Sequence, residues 1–145
     1  MTQGGSSTHW GAPINTKETI DAVLALKTWA VVGLGNNPER AAFGVAKLLQ
    51  DKGHHIIPVY PRAEVVHGEI GYKTLSEIPE PVDVVDCFVN STLVGKIVDE
   101  AIAIGAKAVW LQLDVIDNDA IARAQAAGLL TVMDRCPAIE YRARA

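Results

Sequence analysis

Cysteine is scarce in this chain. Cys87 and Cys136 are the only two among 145 residues, and they lie far apart. Neither belongs to a Cys-x-x-Cys pair or to a Cys/His spacing that suits a metal, so no metal-type motif is encoded locally and free thiols in a cytoplasmic protein are the default expectation. No apolar run approaches the roughly 20 residues that span a bilayer, which argues against a membrane. An excess of basic residues is also missing: the net charge of −4 argues against a nucleic-acid surface. The basic and apolar regions of a signal peptide are absent from Met1–Ser7. Residues 1–15 are expected to form a flexible tail ahead of a single domain over residues 16–145. A Walker motif and a Ser/His/Asp order are lacking as well. Apolar residues are plentiful at 49%, enough for a real core, which excludes global disorder.

The stretch around which the rest is organised is Val31–Arg40. An apolar run, Trp29-Ala30-Val31-Val32, stops at Gly33; Gly35 follows, and Ala41–Leu49 reads as a helix. Strand, glycine turn and helix together present backbone N–H groups and a positive helix end to a phosphate. The pattern resembles a dinucleotide fingerprint but does not complete it, because Pro38 holds the third glycine position.

Thr16 can cap a helix over Lys17–Lys27. Later helices end at Gly53, Gly105 and Gly128, each followed by an apolar strand. The strands, near Ile56–Tyr60, Asp83–Val89, Ala108–Leu113 and Leu129–Met133, are almost continuously apolar instead of alternating. Strands covered on both faces read this way, so the expected fold is α/β: a Rossmann-like, doubly wound, mainly parallel five-stranded sheet. Cys136–Ala145 reads as a short tail with at most one helical turn.

In such sheets ligands bind beyond the carboxyl ends of the strands. That rule nominates Gly33–Arg40, Tyr60–Glu64, Phe88–Ser91, Gln112–Asp114 and Asp134–Cys136. The named candidates are Gly33, Leu34, Gly35, Asn36 and Arg40; Val59, Tyr60 and Arg62; Phe88, Val89 and Asn90; and Gln112, Arg135 and Cys136. An NAD site needs a carboxylate about 20 residues past the glycines. Val59-Tyr60-Pro61-Arg62 stands there, with no acid before Glu64. Arg62 suits a phosphate on the ribose instead, which both NADP and coenzyme A carry.

Several runs carry a family resemblance. They include Val31-Val32-Gly33-Leu34, Ile57-Pro58-Val59, Ile78-Pro79-Glu80-Pro81-Val82-Asp83, Trp110-Leu111-Gln112-Leu113 and Val132-Met133-Asp134-Arg135-Cys136. Over roughly Thr16 to Arg142 the chain resembles the small stand-alone CoA-binding proteins related to the CoA-binding domain of the succinyl-CoA ligase α subunit. The resemblance implies a coenzyme A cofactor and no established catalysis. It implies that Gly33-Leu34-Gly35 and Arg40 contact the CoA phosphates, with Val59, Tyr60 and Arg62 beside the adenosine. Relatives often have serine at Gly35, Ser-Tyr at Ala42-Phe43, Asn at Tyr60, lysine at Arg62, Phe-Arg-Arg at Phe88-Val89-Asn90 and glycine at Asp114. Two hydroxyls and at least one cation of the expected pocket are therefore missing.

Other constellations have plain readings. Arg135 beside Cys136 would favour a thiolate; the alternative is a half-buried thiol without chemistry. Cys87 and Trp110 read as core. His54-His55 reads as a solvated turn, and Asp117-Asn118-Asp119 as helix capping. The chain is thus expected to bind CoA or an acyl-CoA as a small-molecule partner, with a homo-oligomer left open. The rivals are an NADP-dependent reductase, a ligase-related fragment, and a regulatory subunit with an empty pocket.

Overall fold

The computed structural model describes residues 13–145; residues 1–12 of the expected tail lie outside the described residues. The end of that tail is tied down. Ile14 packs against the core, and the Asn15 carboxamide donates to the Met133 carbonyl (2.7 Å) and accepts from the Met133 N–H (3.0 Å).

The elements follow in the order α1 (Lys17–Leu24), β1 (Thr28–Val32), α2 (Ala41–Asp51), β2 (His55–Val59), β3 (Val84–Cys87), α3 (Ser91–Ala103), β4 (Ala108–Leu111), α4 (Asn118–Ala126), β5 (Leu130–Val132) and α5 (Pro137–Ala143). A 3-10 turn at Leu75–Glu77 precedes β3. All five strands are parallel, in the order β2-β1-β3-β4-β5. Alternate strand residues feed two cores. Trp29, Val31, Ile56 and Trp110 pack with α1, α2 and α5, while Ala30, Ile57, Val85 and Leu111 pack with α3 and α4. Burial on both faces is why the strands lack alternation.

Helix starts follow side-chain chemistry. The Thr16 hydroxyl accepts from the Thr19 N–H (3.1 Å), and Asp117 Oδ1 accepts from the Ala120 N–H (3.0 Å). The first helix ends at Leu24, before Lys27. The reason is Asp83, whose carboxylate accepts from the N–H groups of Lys27 (3.2 Å) and Thr28 (3.0 Å) and draws that stretch into β1.

Two local expectations change. The C-terminal stretch forms the seven-residue α5 instead of a single turn. His54 is buried, not solvated, and it holds that helix: Nδ1 donates to the Leu26 carbonyl (2.8 Å), and Nε2 accepts from the Tyr141 hydroxyl. Burial holds the imidazole below the usual histidine range. The neutral ring is therefore the form the fold favours. Its contribution is complete above the ordinary histidine value and is lost as pH falls below it. The stability gap between wild type and His54→Gln should narrow from about pH 7.5 to about pH 5.5 in urea titrations; a constant gap would show that protonation is not coupled to folding there.

Candidate functional site

The crossover from β1 through α2 leads to β2 on one side, and that from β3 through α3 leads to β4 on the other. The carboxyl ends of β1 and β3 are therefore the topological switch point, where the diverging connections leave a crevice. Gly33 stands at this point. Its N–H donates to the Val59 carbonyl (2.8 Å), and the Phe88 N–H donates to the Val32 carbonyl (2.9 Å), so three strand ends are drawn together. Gly33 has φ +101°, and a Cβ there would lie 2.4 Å from the Phe88 carbonyl oxygen. Only glycine satisfies both demands.

Two adjoining clefts open from this point and share Gly33, Arg40 and Tyr60. The larger, about 760 Å³, is mainly apolar, with Val32, Val59, Phe88, Val89, Leu93 and Ile97 among its walls. Its polar members include Gln112, whose buried Oε1 has no partner among the described residues. The smaller, about 460 Å³, is polar; besides the shared residues it is lined by Gly35, Asn36, Asn37, Arg62 and Glu64. Among the described residues, neither Arg40 nor Arg62 takes part in a side-chain hydrogen bond or ion pair. Helix α2 starts at the same place without a side-chain cap, and Ala41 and Ala42 of its first turn line the larger cleft. Unpaired guanidinium groups and uncapped helix N–H groups are an anion-binding arrangement.

Residues 27–142 match the family described as CoA binding domain. The chain belongs to that family. It is 33% identical over 110 residues to the uncharacterized protein YneT of Bacillus subtilis, covering 76% of this chain and 82% of that one. A hypothetical protein from Pyrococcus horikoshii superposes with a TM-score of 0.84 at 38% identity, covering 89% of this chain and 92% of its own. The fold also recurs, at TM-score 0.68 and 20% identity, in a dinucleotide-forming acetyl-coenzyme A synthetase from Ca. Korarchaeum cryptofilum, over 79% of this chain and 28% of the synthetase.

In this CoA-binding domain, most of the residues nominated from sequence converge. Val59, Phe88, Val89, Asn90, Gln112 and Cys136 line the larger cleft; Gly35, Asn36 and Arg62 line the smaller. Leu34 and Arg135 line neither. The Leu34 side chain is fully buried in the α2-side core. Arg135 turns back on its own strand end, donating from Nη1 to the Asp134 carbonyl (2.9 Å). Asn90 lines the cleft but its Oδ1 is already used, capping α3 by accepting from the Thr92 N–H (3.1 Å) and hydroxyl (2.9 Å).

Two departures from the family pattern have structural reasons. A Cβ on Gly35 would sit 3.3 Å from the Tyr60 ring and 3.1 Å from Glu64 Oε1, so the smaller residue at 35 makes room for the larger one at 60. Asp114 has φ +66°, the left-handed region where relatives' glycine is at ease; here its N–H is held by Asp134 Oδ1 at 2.8 Å. One inference from the sequence needs correction. No carboxylate is expected at the spacing an NAD site needs, yet Glu64 lines the polar cleft, and its Oε1 accepts from the Asn36 N–H (3.0 Å). Folding of the Arg62–Gly71 loop brings Glu64 back to the glycine turn.

Among the described residues no helix is long and apolar enough to cross a membrane, and no group of three or more His, Cys, Asp or Glu is placed to hold a metal ion.

Proposed function

We propose that the paired clefts bind coenzyme A or an acyl-CoA, and that the chain acts as a binding module for it. The observation that carries this reading is the polar cleft with two unpaired guanidinium groups, Arg40 and Arg62, at the switch point of a CoA-binding-family domain. Arg62 takes the 3′-phosphate, and Arg40 with the uncapped start of α2 takes the pyrophosphate. The pantetheine arm then follows the apolar cleft toward Gln112 and Cys136, both of which line it. A nicotinamide dinucleotide without a ribose phosphate would leave Arg62 unanswered.

Calorimetry with CoA, NADH and NADPH should show CoA bound tightest; tighter binding of either nicotinamide nucleotide would overturn the reading. A charge-assisted contact of about 1.5–3 kcal/mol corresponds to about one to two decades in affinity. Arg62→Ala should cost CoA that much and dephospho-CoA little. Equal losses for the two ligands would place the 3′-phosphate elsewhere.

A further inference from the structure

The polar cleft contains an acceptor as well as cations. Glu64 is held in it by its surroundings. Its Oε1 accepts from the Asn36 N–H (3.0 Å), and next to it the Asn36 Nδ2 donates to the Val65 carbonyl (2.8 Å). The backbone behind it is fixed too. Ala63 has φ +52° and donates its N–H to the Tyr60 carbonyl (2.9 Å). The Glu64 carbonyl packs so closely on Gly71 that a Cβ at 71 would lie 2.1 Å away. With Oε1 committed to the loop, Oε2 has no protein partner among the described residues.

This donor and acceptor set selects a ligand. A group made only of phosphates would satisfy Arg40 and Arg62 but would set its charge against the Glu64 carboxylate. A plain ribose diol would suit Glu64 and leave Arg62 idle. The set is complementary to a sugar carrying one phosphate and one free hydroxyl side by side. We infer that Glu64 accepts a hydrogen bond from the 2′-hydroxyl of the ribose whose 3′-phosphate Arg62 holds, which makes it a specificity residue of the cleft. The assignment rests on the CoA reading and adds a second half to it: recognition of the hydroxyl as well as the phosphate.

The probes are adenosine 3′,5′-bisphosphate and its 2′-deoxy counterpart, titrated against the full chain by calorimetry, with CoA as reference. Wild type should bind the ribose form about tenfold tighter than the deoxy form. In Glu64→Ala that ratio should fall to about one. Loosening of the loop would weaken both probes equally and leave the ratio intact, so the ratio separates recognition from a structural role. Glu64→Gln keeps an oxygen for the Asn36 N–H and serves if the alanine variant does not fold; its ratio should fall at least about threefold, because a neutral acceptor replaces a charged one. An unchanged ratio in the variants overturns the assignment. So does tighter binding of both probes by Glu64→Ala, which would make the carboxylate an electrostatic plug. Wild type that binds CoA with a ratio of one overturns the Glu64 assignment alone; wild type that binds neither CoA nor the bisphosphates overturns the CoA reading along with it.

Discussion

Gly33→Ala should destabilise the protein by about 3–5 kcal/mol, lower its melting temperature by about 10 °C or more, and abolish the CoA binding proposed for the clefts. Two costs add at this position. An alanine at φ +101° is strained, and its Cβ would lie 2.4 Å from the Phe88 carbonyl oxygen, a backbone atom that cannot rotate away. Relief requires the β1 end to move from β3, which breaks the Phe88 N–H to Val32 carbonyl bond and opens the turn that presents Arg40. Two other glycines separate the contributions. Gly53 has φ +98° with nothing within 4 Å, so Gly53→Ala carries the strain alone, about 1–2 kcal/mol. Gly44 lies inside α2, also with nothing within 4 Å, and Gly44→Ala should stabilise by about 0.5–1 kcal/mol. Thermal and urea denaturation of the three variants checks the order. A Gly33→Ala protein no less stable than Gly53→Ala would show that the sheet end yields and that the close approach is not required.

The second large effect concerns Asp86, in the middle of β3. The side chain is fully buried, its register neighbours are Val31 and Trp110, and among the described residues neither carboxyl oxygen has a hydrogen-bond partner. Burial pushes this carboxyl well above the usual carboxylate range, and burial, with Asp86 as a lesser cause, pushes the adjacent Cys87 thiol up as well. The fold thus favours the protonated acid, while the unfolded chain ionises at the ordinary value. Stability from this position is complete below the ordinary carboxyl range and is lost as pH rises toward the folded-state value, by about 1.4 kcal/mol for each pH unit. Asp86→Asn removes the titration without changing the shape. Its stability relative to wild type should therefore rise by that increment per unit from about pH 4 upward. Asp86→Val, which also removes the unpaired oxygens, should be more stable than wild type near neutral pH. A difference between wild type and Asp86→Asn that does not vary over about pH 4 to 7 would show that the buried group is not the protonated acid.

The two predictions differ in how visible their residues are in the sequence. Gly33 announces itself, because an apolar run that stops at a glycine before a helix is a local pattern. Asp86 reads as one polar letter in an apolar strand, and nothing beside it says whether a partner reaches it. That depends on what the neighbouring strands, with Val31 and Trp110, place around it. His54 differs for the same reason. Its neighbours Gly53 and His55 suggest a turn, but Leu26 and Tyr141, 28 and 87 residues away, make it a buried anchor.

By itself the sequence determined the α/β class, the parallel sheet, the glycine turn and the capping residues Thr16 and Asp117. Each of these rests on interactions between residues a few positions apart, or on continuous burial that shows directly in composition. The same patterns nominated the strand ends, and hence most of the residues that line the two clefts. Only the tertiary structure decided which of them line the clefts. Leu34 and Arg135 lie in the right segments but direct their side chains elsewhere, since a strand end presents its residues to alternate sides. Glu64 lies at the end of a nominated segment, but its contact with the glycine turn was out of reach of any spacing rule. It meets the Asn36 N–H across 28 residues because the positive φ of Ala63 and the tight approach to Gly71 fold the loop back onto the glycine turn. A cleft is a set of directions brought together by strand order and loop closure, and those are long-range properties of the chain.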